Sequence, residues 1–468
     1  MSREIVLKSD FSEYTGKRVH LIGVGGSSMS GLARILRSFG CIVSGSDRSE
    51  NHAVHDLRKS GIDVIIGHDR ENVNGVDLVV YSLAIPQDNP EMIACREKGI
   101  KTVERSVLLG QLSAGYDTAV AVCGTHGKTT VTSMLSQILV ETEMDPTVHI
   151  GGVYPPIGGS IRMGSRELFV TEACEYRRSF MNLYPNAIVV NNIDEDHLDY
   201  YRDIEDIKDA FQDFVKKLPD DGWVLGNGDD PLVRSVLERS GKRSVTFGVS
   251  EQCTYRMAAA SEDPKGYVSF DVIKGESVIG HANMAVPGMF NAIDALAAIA
   301  AADLLGADPA EACRIIGTFT GAGRRFELTG TLNGAELFTD YGHNPTEMKN
   351  ALNVARKRCQ NGRLWAVVQP HTYSRLKSLF QEYLTCTEKA DVTLVTDIFA
   401  ARENDPGDID SKMLVDGMIE QGIHAVLTRT FEDAADEIRR GVKPGDLVIT
   451  LGCGNINLLN DMLGNAPA

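Results

Sequence analysis

The sequence lacks closely spaced cysteine pairs and long apolar segments. None of its nine cysteines forms a Cys-x-x-Cys pair, so neither a structural zinc site nor a disulfide framework is predicted, and we expect reduced thiols in the core. The longest alanine-rich stretch, residues 295–302, is far shorter than the ~20 residues that cross a bilayer. The first residues lack the apolar core of a signal peptide. We therefore expect a cytoplasmic protein without membrane insertion.

A basic stripe is also missing. Lys and Arg total 47 against 64 Asp and Glu, which gives a net charge of −17. Proteins bind nucleic-acid phosphates with clustered basic residues, so no nucleic-acid partner is expected. The acidity favours solubility and specifies no partner.

Apolar strand-like runs alternate with helical patterns nearly throughout the 468 residues. This alternation predicts an α/β protein with mostly parallel sheets, and the length suits about three domains. The runs form three groups, with a glycine-containing hinge near residues 321–326. We place the domains at residues 1–115, 116–323 and 324–468.

The second group begins with an apolar strand, a glycine-rich turn and a helix start. This arrangement is typical of a loop that binds nucleotide phosphates, because main-chain N–H groups and the helix N-terminus converge on an anion. Lys128 is predicted to reach the terminal phosphates, and the Thr129 hydroxyl is a candidate Mg²⁺ ligand. The chain has Val122 where the longer form of the loop has glycine. The predicted nucleotide contacts are Gly124, Thr125, His126, Gly127, Lys128, Thr129 and Thr130.

The first group opens with another glycine turn, residues 23–31, after a strand. Asp47 follows at about the spacing at which NAD enzymes place a ribose-binding acid. Ser28, however, occupies a position where the dinucleotide motif needs glycine. The turn therefore favours a nucleotide diphosphate such as UDP, with NAD and a plain tight turn as the alternatives.

Two later strands of the second group end in residues suited to a metal. Glu172 ends one strand and is the leading candidate for a Mg²⁺ carboxylate. His197 lies in a polar segment after the next strand, where carboxyl ends of parallel strands face a ligand crevice. A lone histidine in a polar loop is often only solvated, which is the alternative for His197.

Taken in order, the motifs of this chain resemble those of the Mur ligase family. The resemblance spans nearly all of the sequence and rests on residues 23–31, 124–130, 172–173, 192–193, 196–199, 287–291, 324–327, 340–347 and 369–375. It implies an N-terminal Rossmann-like domain that binds UDP, a central P-loop ATPase domain, and a C-terminal Rossmann-like domain that binds an amino acid.

The same resemblance implies a bacterial ATP- and Mg²⁺-dependent ligase of peptidoglycan precursor synthesis. It is closest to the members that join L-alanine to the lactyl carboxylate of UDP-N-acetylmuramate through an acyl phosphate. Small molecules would be the partners, and the chain would act as a monomer or homodimer. The alternatives are a related ligase that adds a preformed peptide or another amino acid, a nucleotide-binding partner subunit, and an NAD oxidoreductase.

Residue roles follow from the resemblance as expectations. Thr129 and Glu172 would hold one Mg²⁺, and Glu172 with His197 a second, while Arg325 would reach the γ-phosphate. Asn291 would contact adenine and Asp340 the ribose. Lys128, Glu172, His197 and Arg325 form the expected catalytic set. The expected substrate contacts are Gly25, Gly26, Ser27, Ser28, Asp47, Ser82, His126, Tyr341, His343, His371 and Arg375.

The C-terminal motifs depart from the family pattern in places. Thr372 stands where the family commonly has arginine, so Arg375 is expected to carry recognition of the alanine carboxylate. Asn344 and Pro345 predict a helix start, in which Pro345 and Glu347 would be structural. Because Arg325 lies beyond the hinge and Lys128 before it, catalysis is expected to require domain closure.

Overall fold

The computed structural model describes residues 14–198, 200–401 and 403–464. These residues form a mixed α/β structure with three sheets of five, ten and six strands. Asp199, part of the 196–199 motif, lies outside the described residues. Within the described ranges, none of the helices is long and apolar enough to cross a membrane.

The first sheet is entirely parallel, with the strand order β3-β2-β1-β4-β5. Two of the helices that follow its strands have side-chain caps at their N-termini. Asn51 and Asn89 accept hydrogen bonds from main-chain N–H groups in the first turns of α2 and α3. The elements are β1 (Arg18–Ile22), α1 (Ser27–Ser38), β2 (Ile42–Asp47), α2 (His52–Lys59), β3 (Asp63–Ile66), β4 (Leu78–Tyr81), α3 (Pro90–Lys98), β5 (Lys101–Glu104) and α4 (Arg105–Ala114).

The second sheet has the order β15-β14-β13-β12-β11-β10-β6-β9-β7-β8. Its elements are β6 (Thr118–Cys123), α5 (Lys128–Glu141), β7 (Thr147–Tyr154), β8 (Gly159–Arg162), β9 (Leu168–Glu172), β10 (Ala187–Val190), α6 (Ile204–Lys216), β11 (Trp223–Asn227), α7 (Pro231–Ser240), β12 (Arg243–Gly248), β13 (Tyr255–Glu262), β14 (Tyr267–Lys274), β15 (Ser277–Pro287), α8 (Met289–Leu304) and α9 (Pro309–Ile316). Short 3₁₀ turns occupy residues 70–73, 155–157 and 176–182.

The parallel centre of this sheet was predicted, but the antiparallel pairing at its two edges, β7 with β8 and β13 to β15, was not. β13, β14 and β15 form an antiparallel meander. The sequence signal was present, because apolar Val268, Phe270 and Val272 alternate with polar Ser269 and Asp271, as in a strand with one covered face.

The third sheet has the order β16-β17-β21-β18-β19-β20, and only the β16–β17 pair is antiparallel. Its elements are β16 (Glu327–Leu332), β17 (Ala335–Asp340), α10 (Pro345–Arg358), β18 (Leu364–Val368), α11 (Tyr373–Ser378), α12 (Phe380–Tyr383), β19 (Val392–Val395), α13 (Ser411–Glu420), β20 (Ala425–Leu427), α14 (Phe431–Gly441), β21 (Leu447–Leu451) and α15 (Asn457–Leu463). The helix start at Asn344 is confirmed, since its side chain accepts from the Glu347 N–H and Pro345 occupies the first turn.

The clusters of buried apolar side chains do not correspond one to one with the three sheets. One cluster runs from the first sheet into the second, so that Leu109 and Leu112 belong to the same core as Phe169 and Phe180. The third sheet has two clusters of its own. The C-terminal sheet is therefore joined to the rest by fewer apolar contacts than the first two sheets share, which suits a part that can move.

Candidate active site

The glycine turn of the first sheet lies where β1, β2 and β4 end. The Gly25 N–H donates to Asp47 Oδ2 at 2.8 Å, and a Cβ on Gly25 would lie 2.8 Å from that oxygen. Helix α1 then begins at Gly26 with no side-chain cap among the described residues, which leaves its first N–H groups available to an anion. The strand ends bring together the predicted contacts Gly25, Gly26, Ser27, Ser28, Asp47 and Ser82.

Ser28 connects this turn to the second sheet. Its Oγ lies 2.8 Å from His149 Nε2, and Arg105 Nη1 donates to the same Oγ at 3.0 Å. Burial and the nearby Arg105 lower the pKa of His149 to about 3, so this histidine is neutral. Sequence reasoning missed Arg105; its place directly after β5, at the same edge of the sheet, was the available signal.

The phosphate loop between β6 and α5 depends on a left-handed glycine. Gly127 has φ of 79°, and a Cβ there would collide with Asn191 Nδ2 and lie 2.6 Å from Asp294 Oδ1. Only glycine fits this position without strain. The loop is thus pressed closely against the residues that follow β10 and against helix α8.

Two asparagines hold the loop at the His126 peptide. The His126 N–H donates to Asn192 Oδ1 at 2.7 Å, and the His126 carbonyl accepts from Asn191 Nδ2 and Asn192 Nδ2, both at 3.1 Å. Asn191 also donates to Asp294 Oδ1 at 2.6 Å. The conformation of the loop is therefore held by side chains from the segment after β10 and from α8.

Lys128 lies over this loop and is paired with a carboxylate. Its Nζ donates to the carbonyls of Gly124 and Thr125 at 2.5 and 2.9 Å and to Glu175 Oε1 at 3.0 Å. Burial would lower the pKa of Lys128, but the charge of Glu175 outweighs it and raises the pKa to about 12. Lys128 is therefore a permanent positive charge at the place where phosphates would lie.

Within the described part of the chain, two carboxylates beside the loop each have a buried oxygen without a hydrogen-bond partner, Glu172 Oε1 and Glu175 Oε2. Burial raises the pKa of Glu172, and the nearby Gly151 N–H, Thr129 and the charge of Lys128 oppose that rise. Buried acceptors without donors suit a hard cation such as Mg²⁺. No group of three or more His, Cys, Asp or Glu side chains in the described ranges could hold a metal by itself. The residues fit an ion that takes its other ligands from phosphate and water.

His197 lies next to this acidic pair, with left-handed φ of 55°. Its Nε2 is 3.6 Å from Glu175 Oε1, and its ring centroid is 4.7 Å from that of Tyr176. The structure therefore places His197 beside Glu175, a residue that sequence reasoning missed although it lies only three positions after Glu172.

A cavity of about 290 Å³ opens between the phosphate loop and the C-terminal sheet. The predicted contacts that line it are His126, Gly127, Thr130, Asn291, Arg325 and Asp340. Asp294 also lines it, and burial raises the pKa of that carboxyl to about 7. The size and the shared lining suit a nucleoside next to the phosphate loop.

The two hinge arginines have different environments. Arg324 donates to the carbonyls of Gly452 and Gly454 at 2.5 and 2.9 Å, whereas Arg325 lines the cavity. Burial would lower the pKa of Arg325, but the charges of Glu347 and Asp340 raise it.

Both carboxylate oxygens of Asp340 accept hydrogen bonds from main-chain N–H groups, from Phe326 at 2.8 Å and from Gly342 at 2.7 Å.

A second cavity, of about 470 Å³, lies between His197 and the C-terminal residues His371 and Arg375. Arg375 Nη2 donates to Asp196 Oδ1 at 2.8 Å, and its Nη1 is 2.8 Å from His371 Nδ1. Burial would raise the pKa of Asp196, but the charge of Arg375 lowers it. Tyr341 and His343 lie near one edge, with ring centroids 5.8 Å apart, and His343 is 5.7 Å from His371.

His126 links the phosphate loop to the C-terminal domain. Its Nδ1 is 3.2 Å from Glu347 Oε1 and its Nε2 is 3.2 Å from Asp194 Oδ2. Burial would lower the pKa of His126, but these hydrogen bonds raise it to about 9. Glu347, expected only to support a helix start, thus contacts the nucleotide loop across the domain boundary.

The chain matches three family descriptions in succession. Residues 18–117 match the Mur ligase family catalytic domain, residues 122–302 the Mur ligase middle domain, and residues 324–454 the Mur ligase glutamate ligase domain.

Curated relatives match over almost the whole chain. UDP-N-acetylmuramate–L-alanine ligase of Acetivibrio thermocellus is 42% identical and covers 95% of both chains. The protein of the same name from Clostridium beijerinckii is 39% identical, over 97% of this chain and 98% of its own. Among solved structures, UDP-N-acetylmuramate-alanine ligase of Thermotoga maritima matches with a TM-score of 0.81 and 26% identity, over 96% of this chain and 98% of its own.

The fold recurs in a murein peptide ligase of Psychrobacter arcticus, with a TM-score of 0.75 and 24% identity over 97% of this chain and all of the other. At that identity the likeness concerns the fold alone. The three family descriptions and the full-length relatives show that this chain belongs to the Mur ligase family.

Proposed function

We propose that this protein joins L-alanine to the lactyl carboxylate of UDP-N-acetylmuramate, with ATP as the energy source. The products are UDP-N-acetylmuramoyl-L-alanine, ADP and phosphate. The observation that carries the proposal is the convergence of Lys128, Glu172 and Arg325 around one cleft, in a chain about 40% identical to relatives named for this ligation.

The turn after β1 and the two cavities each take one substrate in this proposal. The UDP diphosphate lies at the turn after β1, where the start of α1 and the Arg105 guanidinium face it. ATP lies at the phosphate loop, with its nucleoside in the cavity that Asn291 and Asp340 line. The amino acid enters the cavity beside His371 and Arg375. The domain bounds 1–115, 116–323 and 324–468 follow this division.

The first chemical step is attack of the lactyl carboxylate on the γ-phosphate of ATP. Two anions must approach, so catalysis depends on positive charge that is in place beforehand. Lys128 and Arg325 supply it, and both keep a pKa above the ordinary value in the site. Mg²⁺, held through Glu172, Thr129 and His197, would neutralise charge on the phosphate oxygens.

The second step is attack of the alanine amine on the acyl phosphate, in which a C–N bond forms and phosphate leaves. Orientation of the amine matters most here. Arg375 suits the carboxylate of alanine because a guanidinium can bind it through two parallel hydrogen bonds. Asp196 already uses one edge of that guanidinium and fixes its direction.

The protein acts in the bacterial cytoplasm, where ATP and nucleotide sugars are available. Its partners are small molecules, and it acts as a monomer or homodimer.

Phosphate release from ATP tests the function directly. With UDP-N-acetylmuramate present, we expect L-alanine to give the fastest release in a scan of amino acids that includes glycine and L-serine. The tripeptide L-alanyl-γ-D-glutamyl-meso-diaminopimelate serves as the comparison. Faster release with the tripeptide than with any single amino acid would reassign the chain to peptide ligation.

Lys128→Ala should lower turnover by at least ~10²-fold, because it removes a preorganised charge from the transferring phosphoryl group. Binding of UDP-N-acetylmuramate, measured by calorimetry, should persist. The exposed Lys216→Ala variant is the control for general loss of positive charge. Near-normal turnover of Lys128→Ala contradicts the phosphate role.

Glu172→Ala and His197→Ala should each raise the Mg²⁺ concentration that gives half the maximal rate, because both side chains are proposed metal ligands. The measurement is a magnesium titration of initial rates at saturating substrates. His52→Ala, at a side chain 91% exposed, is the matched control. An unchanged magnesium requirement in both variants would remove the metal assignment.

Arg375→Ala should raise the KM for alanine by about one to two orders of magnitude, since it removes the proposed partner of the alanine carboxylate. Arg375→Lys keeps a positive charge beside Asp196 but loses the planar fork, so its alanine KM should also rise. Acyl-phosphate formation without amino acid, trapped by hydroxylamine, should persist in both. Loss of that partial reaction with an unchanged alanine KM would place Arg375 at the phosphate site instead.

A further inference from the structure

A thiol and two imidazoles meet at the C-terminal edge of the cleft. Cys453 lies in the turn after β21, and its thiol is close enough to His343 and His371 for both imidazoles to act on its ionisation. Their ring centroids are 5.7 Å apart. Since β17, β21 and β18 are neighbours in the sheet, the segments after these three strands bring the groups together.

The surroundings of Cys453 favour its thiolate. Burial would raise the pKa of the Cys453 thiol, but the charge of His343 and the hydrogen bonds to both histidines lower it to about 6. Burial would lower the pKa of His343, but Glu347 and Cys453 raise it to about 10. The titratable and charged groups that face Cys453 are Arg324, Tyr341, His343, His371, Arg375 and Tyr383.

Cys453 differs from the other cysteines of the chain. All nine are described and free, and seven of them are buried. Cys174 shares the partial exposure of Cys453, but burial and the charge of Glu175 raise the pKa of its thiol. Thiol reactivity depends on both exposure and thiolate character, so Cys174 is a control within the same molecule.

The turn that carries Cys453 also meets an acceptor without a donor. Gln369 is 5% exposed, its Oε1 has no hydrogen-bond partner within the described ranges, and a Cβ on Gly454 would collide with that oxygen. The Phe399 ring lies against the same glycine and stacks with His371, with centroids 5.7 Å apart. A polar group added at this turn would therefore lie near an acceptor that no donor among the described residues uses.

We propose that Cys453 is a modification site for small electrophiles, with hydrogen peroxide as the oxidant. The thiolate sulfur attacks one peroxide oxygen, so that an S–O bond forms, the O–O bond breaks and hydroxide leaves. Sulfur is oxidised by two electrons to a sulfenic acid while the peroxide is reduced. The added oxygen crowds His343 and His371 and lowers ligase activity, a consequence that rests on the proposed function.

Iodoacetamide measures the thiolate without reference to ligase activity, because sulfur displaces iodide from carbon. We expect one label per native chain, mapped to Cys453 by peptide mass spectrometry, and none there in Cys453→Ala. At pH 6 its thiolate fraction would exceed that of an ordinary thiol by about two orders of magnitude. A thiolate of lower pKa is less nucleophilic, which removes about one of these two orders of magnitude. We therefore expect Cys453 to be labelled about tenfold faster in the native chain than in the urea-unfolded chain.

The pH profile and a histidine variant test the cause of this reactivity. The labelling rate should follow ionisation of a thiol well below the ordinary range, and His343→Gln should move that midpoint upward. Label on Cys174 instead of Cys453, or a midpoint at about 8.5 as for an ordinary thiol, would overturn the proposal.

Peroxide tests the second half of the proposal. Dimedone should trap a sulfenic acid on Cys453 of the folded protein, and ligase activity should fall and return on addition of a thiol. Cys453→Ala should keep its activity under the same peroxide, and Cys174→Ser should behave like the unaltered chain. A protein that carries the Cys453 adduct with full activity would show that oxidation does not control the cleft.

Discussion

The site depends on how closely the phosphate loop is pressed against the end of the central sheet. β10, β6 and β9 are neighbours, and they bring Asn191, Lys128 and Glu172 to one edge. Gly127 makes this possible, because a side chain there would collide with Asn191 and with Asp294. Hydrogen bonds from Asn191 and Asn192 then hold the His126 peptide. A loop held in this way would bind a phosphate without changing its conformation. Electrostatic stabilisation of a transition state is strongest when the groups that provide it need no reorganisation.

The same loop determines where the C-terminal sheet can dock. His126 lies between Asp194 and Glu347, while Arg375 pairs with Asp196. These bridges are polar, whereas the first and second sheets share a continuous apolar core. Ion pairs in a cleft respond to substrate charge far more than apolar contacts do. The arrangement therefore suits a C-terminal domain that closes and opens as charged substrates enter and leave.

Much of the fold was predictable because its signals are local. Residues close together in the chain predict the strands around both glycine turns, the parallel pairing of strands that alternate with helices, and the Asn344 helix cap. The antiparallel β13–β15 edge was missed although its alternation was visible. Arg105, Glu175 and Glu347 were missed for another reason. Each acts through a partner distant in the sequence: Arg105 and Ser28 are 77 positions apart, Glu175 and Lys128 are 47 apart, and Glu347 and His126 are 221 apart.

The sequence by itself determined which functional groups the protein has: a phosphate loop with its lysine, a second glycine turn, and carboxylates after parallel strands. Tertiary structure alone decided which groups meet. It turned Arg325 toward the cleft and left Arg324 to bind the carbonyls of Gly452 and Gly454. It also brought Cys453 near His343 and His371, which lowers the pKa of an otherwise ordinary thiol. The physical reason is that pKa values and ion pairs depend on distance and burial, and for residues far apart in the chain both arise only when the sheets pack.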